Sequence, residues 1–233
     1  MALGSEAVKH TDKLRSARLY FVCEAGDDLL ALDELLEAAL GGGVDVVQLR
    51  DKEADEARLR EAAPHFRAAA DRHDALFIIN DRPDLTGACA ADGVHVGQDD
   101  LPVTEARARA GPGALVGLST HRPEQLEAAR AAGGGARPDY VSVGPVWATP
   151  TKPGRPAAGL DYVARAAASE PDAEQALPWF AIGGIDPANV GEVRRAGATR
   201  IVVVRAIRDA DDPGAVAASL RRGLSAREEA GAR

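Results

Sequence analysis

Short apolar runs alternate along the whole chain with longer stretches of helical periodicity. Strands are predicted at Leu19-Tyr20-Phe21-Val22, Val44-Asp45-Val46-Val47-Gln48-Leu49, Leu76-Phe77-Ile78-Ile79 and Gly93-Val94-His95-Val96. Four more are predicted at Leu115-Val116-Gly117-Leu118, Tyr140-Val141-Ser142-Val143, Trp179-Phe180-Ala181-Ile182 and Arg200-Ile201-Val202-Val203-Val204. Between them, apolar spacing near ~3.6 residues predicts helices, most clearly over Leu29 to Leu40, Asp55 to His73 and Pro123 to Ala132. Glycines at Gly41-Gly42-Gly43, Gly133-Gly134-Gly135 and Gly197 suit helix ends, where the left-handed conformation closes the last turn. At Asp186-Pro187 the aspartate can cap a helix and the proline fits its first turn. No hairpin signal separates any two strands, so the sheet is expected to be parallel. Eight strand–helix units are the number that closes a barrel, and the expected fold is a single α/β domain, a (β/α)8 TIM barrel. Its bounds are set at 17–226, with a polar N-terminal tail at 1–16 and a C-terminal tail at 227–233. An open, doubly wound sheet is the rival. It lacks support because Cys23-Glu24-Ala25-Gly26, after the first strand, is no dinucleotide fingerprint.

A closed barrel carries its site at the carboxyl ends of the strands, so the polar residues there are the ones to read. After the second strand comes Gln48-Leu49-Arg50-Asp51-Lys52. Strand side chains alternate, which puts Gln48, Arg50 and Lys52 on one face and Leu49 and Asp51 on the other. Two cations and an amide at the mouth suit a diphosphate, Arg as a bidentate fork and Lys as a point charge. A salt-bridged strand end beside Asp51, Glu53 and Asp55 is the plainer reading. Asn80-Asp81 follows the third strand and Gly97-Gln98-Asp99-Asp100 the fourth. Asp81 and Asp100 could offer oxygen ligands to Mg²⁺, with Asp99 as the alternative, or could cap the helices that follow. Ser119-Thr120-His121, after the fifth strand, could bond substrate or cap the helix near Pro123.

After the sixth strand, Gly144 to Gly154 is a long polar loop in which Thr149, Pro150 and Thr151 precede Lys152, suited to a mobile cover or to a simple connector. Ala181-Ile182-Gly183-Gly184-Ile185-Asp186-Pro187 lets backbone N–H groups approach a phosphate at a helix start. With Val204-Arg205-Ala206-Ile207 it occupies the loops that bind phosphate in many such barrels. His95 sits within a strand pattern, as a packed residue or one supporting the site from behind, His121 lies near the mouth, and His10, His65 and His73 read as surface residues. No Ser/His/Asp triad, HExxH helix or P-loop is present.

Composition narrows the classes. Hydrophobic residues are 45% and charged residues 27% of 233, which is an ordinary globular balance. A net charge of −8 disfavours a nucleic-acid binder and leaves room for a small anion held by cations gathered at one site. Cys23 and Cys89 have neither metal-ligand nor disulfide-framework spacing, and the first residues lack the apolar stretch of a signal peptide. No run is long and apolar enough to span a bilayer. The expectation is a cytoplasmic protein with small phosphorylated substrates, no membrane and no nucleic acid as partners, and a second copy of the chain as a candidate partner in a homo-oligomer.

Gln48-Leu49-Arg50-Asp51-Lys52, Asn80-Asp81, Gly93 to Asp100, the Thr149-Pro150-Thr151-Lys152 loop and Ile182-Gly183-Gly184-Ile185 together resemble the thiamine phosphate synthase family. The resemblance runs from Ala17 to Ala206 with the segments in the family's order. It implies a transferase of an alkyl group, one that joins the diphosphate ester of hydroxymethylpyrimidine to a thiazole phosphate and yields thiamine phosphate and diphosphate. It further implies that Gln48, Leu49, Arg50, Asp51, Lys52, Asn80, Ser119 and Lys152 form the pyrimidine diphosphate site. Arg50, Lys52 and Lys152 would stabilise the leaving diphosphate, and Asp81 and Asp100 would hold Mg²⁺. Thr149, Pro150, Thr151, Gly183, Gly184, Val204 and Arg205 would receive the thiazole phosphate. The family pattern in the eighth strand reads Val-Ser-Ala-Ile, and Arg205 replaces its serine, so the side-chain hydroxyl contact is lost. A thiazole tautomerase-like barrel is the nearest alternative, disfavoured because it has no diphosphate to bind. A non-catalytic sensor of thiamine precursors is the alternative from another class.

Overall fold

The computed structural model describes residues 2–148, 157–169 and 176–225. Eight parallel strands close into one barrel in chain order: β1 (Leu19–Cys23), β2 (Val46–Leu49), β3 (Leu76–Asn80), β4 (Gly93–Val96), β5 (Leu115–Thr120), β6 (Tyr140–Val143), β7 (Trp179–Ile182) and β8 (Ile201–Val203). The closing pair sets Leu19, Tyr20 and Phe21 of β1 beside Ile201, Val202 and Val203 of β8. Around the barrel lie α2 (Leu29–Gly41), α3 (Glu56–Arg72), α4 (Val103–Ala110), α5 (Pro123–Ala131), α6 (Gly159–Ala168), α7 (Val190–Arg195), α8 (Arg205–Arg208) and α9 (Pro213–Ser225). Between β3 and β4 the connection is a 3₁₀ turn, Pro83–Leu85, and not an α-helix.

The period-2 rule divides the apolar residues into two cores. Leu19, Phe21, Val47, Leu49, Phe77 and Ile79 point outward and pack under the helices. Tyr20, Val22, Val46, Leu76, Ile78, Leu115, Tyr140, Phe180 and Val202 fill the interior. Glycine serves where neighbouring strands or neighbouring helices come too close for a side chain. A Cβ on Gly93 would lie 2.3 Å from the Leu115 carbonyl oxygen, and one on Gly42 would lie 2.4 Å from that of Gly214, where α2 meets α9.

The predicted strands all form; β1, β3 and β5 run one or two residues further than predicted, and β2 and β8 have trimmed ends with local causes. β2 begins at Val46 because Asp45 turns its carboxylate to the backbone, accepting from the Arg18 and Leu19 amides at 2.7 and 2.9 Å. β8 stops at Val203 because Val204 precedes the short helix α8.

The segment expected as a polar tail, 1–16, needs correction. Residues Ala2–Ser16 form helix α1. Leu14 is 2% exposed and packs, with Ala17, in the same cluster as the barrel interior, so α1 plugs the amino end of the barrel. His10 lies 3.2 Å from Asp92 and Lys13 2.6 Å from Asp74, which tie the helix to the rim. The expected C-terminal tail, 227–233, lies outside the described residues.

Candidate active site

At the carboxyl ends of the strands a cavity opens with two lobes. Gln48, Arg50 and Lys52 from the end of β2, Asn80 and Asp81 after β3, Asp100 after β4 and Ser119 of β5 all line the first lobe, of ≈ 420 Å³. Gly183, Gly184, Val204 and Arg205 line the second, of ≈ 300 Å³. His121, Ser142, Ile182, Val202 and Val204 belong to both, so the lobes meet over the barrel axis.

Alternation places three of the second strand's residues as expected and excludes two. Leu49 is buried in the outer core beneath the helices. Asp51 accepts from the backbone amides of Ala25, Glu53 and Ala54 at 3.3, 3.1 and 3.1 Å, shaping the loop. Neither side chain lines the cavity, which corrects their place in the expected diphosphate set. Thr149, Pro150, Thr151 and Lys152 lie outside the described residues.

The acidic residues do not cap helices. The residue before α4 is Pro102, and Arg82 stands before the 3₁₀ turn, each without a side-chain cap. Asp81 adopts φ 57, a left-handed conformation rare outside glycine, and its N–H donates to the His95 carbonyl at 2.9 Å. Asn80 Nδ2 donates to Asp81 Oδ2 at 2.6 Å. Burial lifts the Asp81 carboxyl above the ordinary aspartate range, and the facing Asp100 carboxylate lifts it further by charge and by a shared hydrogen bond. Lys52 and Asn80 act in the opposite sense. Asp100, held by the Gly97 N–H at 2.7 Å, is thus the carboxylate that faces Asp81.

The hydroxyls at the end of β5 also have uses other than capping. Ser119 Oγ lies 3.0 Å from His95 Nε2. Thr120 Oγ1 donates to the Ser142 carbonyl at 2.7 Å and accepts from Tyr162 at 2.7 Å. α5 starts after Arg122 without a side-chain cap.

In the second lobe, Gly183 at φ 107 and Gly184 at φ 71 hold conformations that suit glycine alone, and a Cβ on Gly183 would meet Pro145 at 2.5 Å. Asp186 accepts from the Ala188 and Asn189 amides, while Asn189 Nδ2 donates to the Gly184 carbonyl at 2.8 Å, bracing the turn. The short helix α8 begins at Arg205, so loops seven and eight and a small extra helix surround this lobe, the usual phosphate architecture of such barrels.

With this geometry in view, the comparisons are decisive. The family model described as thiamine monophosphate synthase matches residues 19–207. The chain belongs to the thiamine monophosphate synthase family. A thiamine-phosphate synthase of Thermobifida fusca is 54% identical over 214 residues, covering 92% of this chain and 95% of that protein. One from an Arthrobacter species is 49% identical over 228 residues, covering 91% and 96%. Among solved structures, a thiamine phosphate pyrophosphorylase from Pyrococcus furiosus superposes with a TM-score of 0.77 at 30% identity, covering 93% of this chain and 98% of that one.

Part of this family member's site was hidden in its apolar runs. Tyr20 and Tyr140 line the first lobe with their rings tilted at 52° and centroids 6.0 Å apart. Burial pushes both phenols well above their usual range, so they stay neutral. His95, expected as a packed residue, lines the same lobe, and His121 lines both, its Nδ1 2.8 Å from the Gly144 carbonyl. Inward parity turns both tyrosines into the barrel but does not mark them as site residues, since Tyr20 is flanked in register by Val46 and Val202.

Among the described residues no helix is long and apolar enough to cross a membrane.

Proposed function

We propose that the chain joins the diphosphate ester of hydroxymethylpyrimidine to a thiazole phosphate, giving thiamine phosphate and releasing diphosphate. The observation that carries this reading is the two-lobed cavity. One lobe holds cations facing a carboxylate pair, the other has phosphate-binding turns, and the two share a wall. The relatives named thiamine-phosphate synthase, near half identical over nearly the whole chain, support the same reaction.

Apart from the Arg50 backbone N–H, which donates to the Cys23 carbonyl at 2.8 Å, Arg50 and Lys52 form no hydrogen bond or ion pair with another described residue, which leaves both side chains for the diphosphate. Gln48, Asn80 and Ser119 border the same lobe and are assigned to the pyrimidine. Gly183, Gly184 and the backbone at Val204 and Arg205 are assigned to the thiazole phosphate, and Thr149, Pro150, Thr151 and Lys152, which lie outside the described residues, are assigned to the ligands as the family resemblance implies. The donor set fits Mg²⁺: Asp81 and Asp100 are hard oxygen ligands, and the mutual repulsion that lifts Asp81 is relieved by a cation between them. No three or more His, Cys, Asp or Glu converge among the described residues, so further ligands would come from water and substrate oxygens. When bound, Mg²⁺ supplies positive charge that offsets the diphosphate.

The chemistry asks little of acids and bases. As the C–O bond to diphosphate breaks, Arg50, Lys52 and Lys152 stabilise the departing charge, and the electron-rich aminopyrimidine carries the developing methylene cation. The thiazole nitrogen then supplies the electron pair for the new C–N bond. The residues contribute charge stabilisation and orientation. The reaction takes place in a protein with small phosphorylated substrates, and cytoplasmic residence suits it.

Incubating the full chain with both substrates tests the proposal. Thiamine phosphate and diphosphate appearing in equal amounts is the expected result. Rearrangement of the thiazole phosphate alone, with no coupled product, would assign the chain to tautomerase chemistry, and binding without any turnover to a sensor.

A further inference from the structure

The glycine turn after β7 presents amides to the second lobe and turns two carbonyls away from it. The Gly183 carbonyl accepts from the Trp147 N–H at 3.1 Å, and the Gly184 carbonyl from Asn189 Nδ2 at 2.8 Å. Neither Trp147 nor Asn189 lines the lobe, whereas Gly184 and Ile185 do. In a planar trans peptide the N–H points opposite to the C=O. The Gly184 and Ile185 N–H groups, which belong to those two peptides, therefore face the lobe. They donate to no described residue.

The two captures differ in kind. A backbone amide holds the first carbonyl, while the second depends on one side chain. Asn189 stands immediately before α7, where an asparagine ordinarily accepts from the first turn of its own helix. It makes no such cap. Its side chain reaches back instead: Oδ1 accepts from the Asp186 N–H at 2.9 Å while Nδ2 holds Gly184. The orientation of this amide is fixed at both ends, because a backbone N–H only donates and a backbone carbonyl only accepts. Between the two contacts, Ile185 is held by its own side chain, buried in the outer core at 4% exposure.

We propose that Asn189 is a positioning residue for the phosphate end of the thiazole substrate. By keeping the Gly184 carbonyl out of the second lobe, it holds the Ile185 N–H in as a donor to phosphate. The inference rests on the thiazole phosphate reading of this lobe and adds to it a residue that touches no ligand atom. Without the Nδ2 contact, the conformational freedom of Gly184 lets the Gly184–Ile185 peptide turn over. A carbonyl dipole then faces the phosphate where an N–H dipole stood.

Steady-state kinetics and amide spectra of the full chain test this in N189A and N189D. Alanine removes both side-chain contacts. Aspartate has the same shape and still accepts from Asp186, but it has no hydrogen to give Gly184. Because N189A adds no charge, agreement between the two variants separates loss of the donor from repulsion by the new carboxylate. Both are expected to raise KM for the thiazole phosphate at least about 10-fold, the scale of a hydrogen bond to a charged group. KM for the pyrimidine diphosphate should stay as in wild type. In ¹⁵N-isoleucine-labelled wild type, with I185V to assign the signal, inorganic phosphate is expected to move the Ile185 amide proton downfield, as a charge-assisted hydrogen bond does. At the same phosphate concentration the shift should be lost in both variants. A merely loosened fold raises both KM values together, and that pattern overturns the proposal. So does an unchanged thiazole phosphate KM in both variants, or an Ile185 shift that survives in both. If wild type shows neither saturation by the thiazole phosphate nor a phosphate-dependent Ile185 shift, the reading of the lobe itself fails, and the proposal falls with it.

Discussion

Arg50 and Lys52 stand at the mouth of a barrel without an ion pair to any described carboxylate, although Asp51 and Glu53 are their neighbours in sequence and Lys52 acts on Asp81 by its charge. Asp51 is unavailable because three backbone amides already engage it. An anion is the natural complement of two such cations, and Arg50→Ala is expected to raise KM for the pyrimidine diphosphate by about 10- to 100-fold while leaving that for the thiazole phosphate alone. Steady-state kinetics with each substrate varied in turn checks this. Arg205 is the residue that departs from the family pattern. It is exposed and borders the second lobe, its guanidinium makes no ion pair or hydrogen bond with a described residue, and the Asp209 carboxylate beside it is engaged mainly by Arg208 at 2.7 Å. Arg205→Ser is therefore expected to raise KM for the thiazole phosphate by less than about 10-fold, with the difference shrinking as salt is added, since an exposed charge is screened. Residue-level legibility follows the same logic. Gln48, Arg50 and Lys52 could be read because a strand's parity assigns them one face. The same parity argued against Leu49 and Asp51, which the family motif had carried along. Tyr20 and Tyr140 could not be read, because an inward-facing tyrosine in an apolar run looks like core until the partner of its hydroxyl is known.

At the scale of elements, the strands were legible almost to the residue and the helices less so. Gly93–Val96, Tyr140–Val143 and Trp179–Ile182 form as the apolar runs indicate, since a parallel strand buried on both faces leaves a continuous apolar signature. The connection after β3 carries no helix, and its Pro83–Leu85 turn leaves Asp81 free to face Asp100. The packing of α2 on α9 depends on Gly42, whose missing side chain admits the Gly214 carbonyl. Gly42→Ala must push the two helices apart and is expected to cost about 1–3 kcal/mol. A lowered urea midpoint with an unchanged m-value would show it; an unchanged midpoint would mean that the helices can separate freely.

For the molecule as a whole, a closed barrel separates stability from chemistry: the amino end is plugged by α1 and the carboxyl end is left open. The plug was illegible because α1 has a polar sequence in which, among its described side chains, Leu14 makes the buried contact, too few apolar positions to show a periodic face. Its burial comes from tertiary contact with the barrel floor. Leu14→Ala is expected to lower unfolding free energy by about 2–4 kcal/mol, measured by urea titration, with kcat unchanged in the surviving folded protein. Loss of kcat in the folded variant would instead couple the two ends. The open end holds the central claim, that cations and a carboxylate pair together neutralise one diphosphate during coupling. The most direct measurement is the Mg²⁺ dependence of thiamine phosphate formation in wild type and in Asp81→Asn. Product that forms only with Mg²⁺ in wild type, and falls by about 100-fold or more in Asp81→Asn, is the result expected of a carboxylate that holds the ion. Equal product with and without Mg²⁺, or a variant as active as wild type, would contradict it.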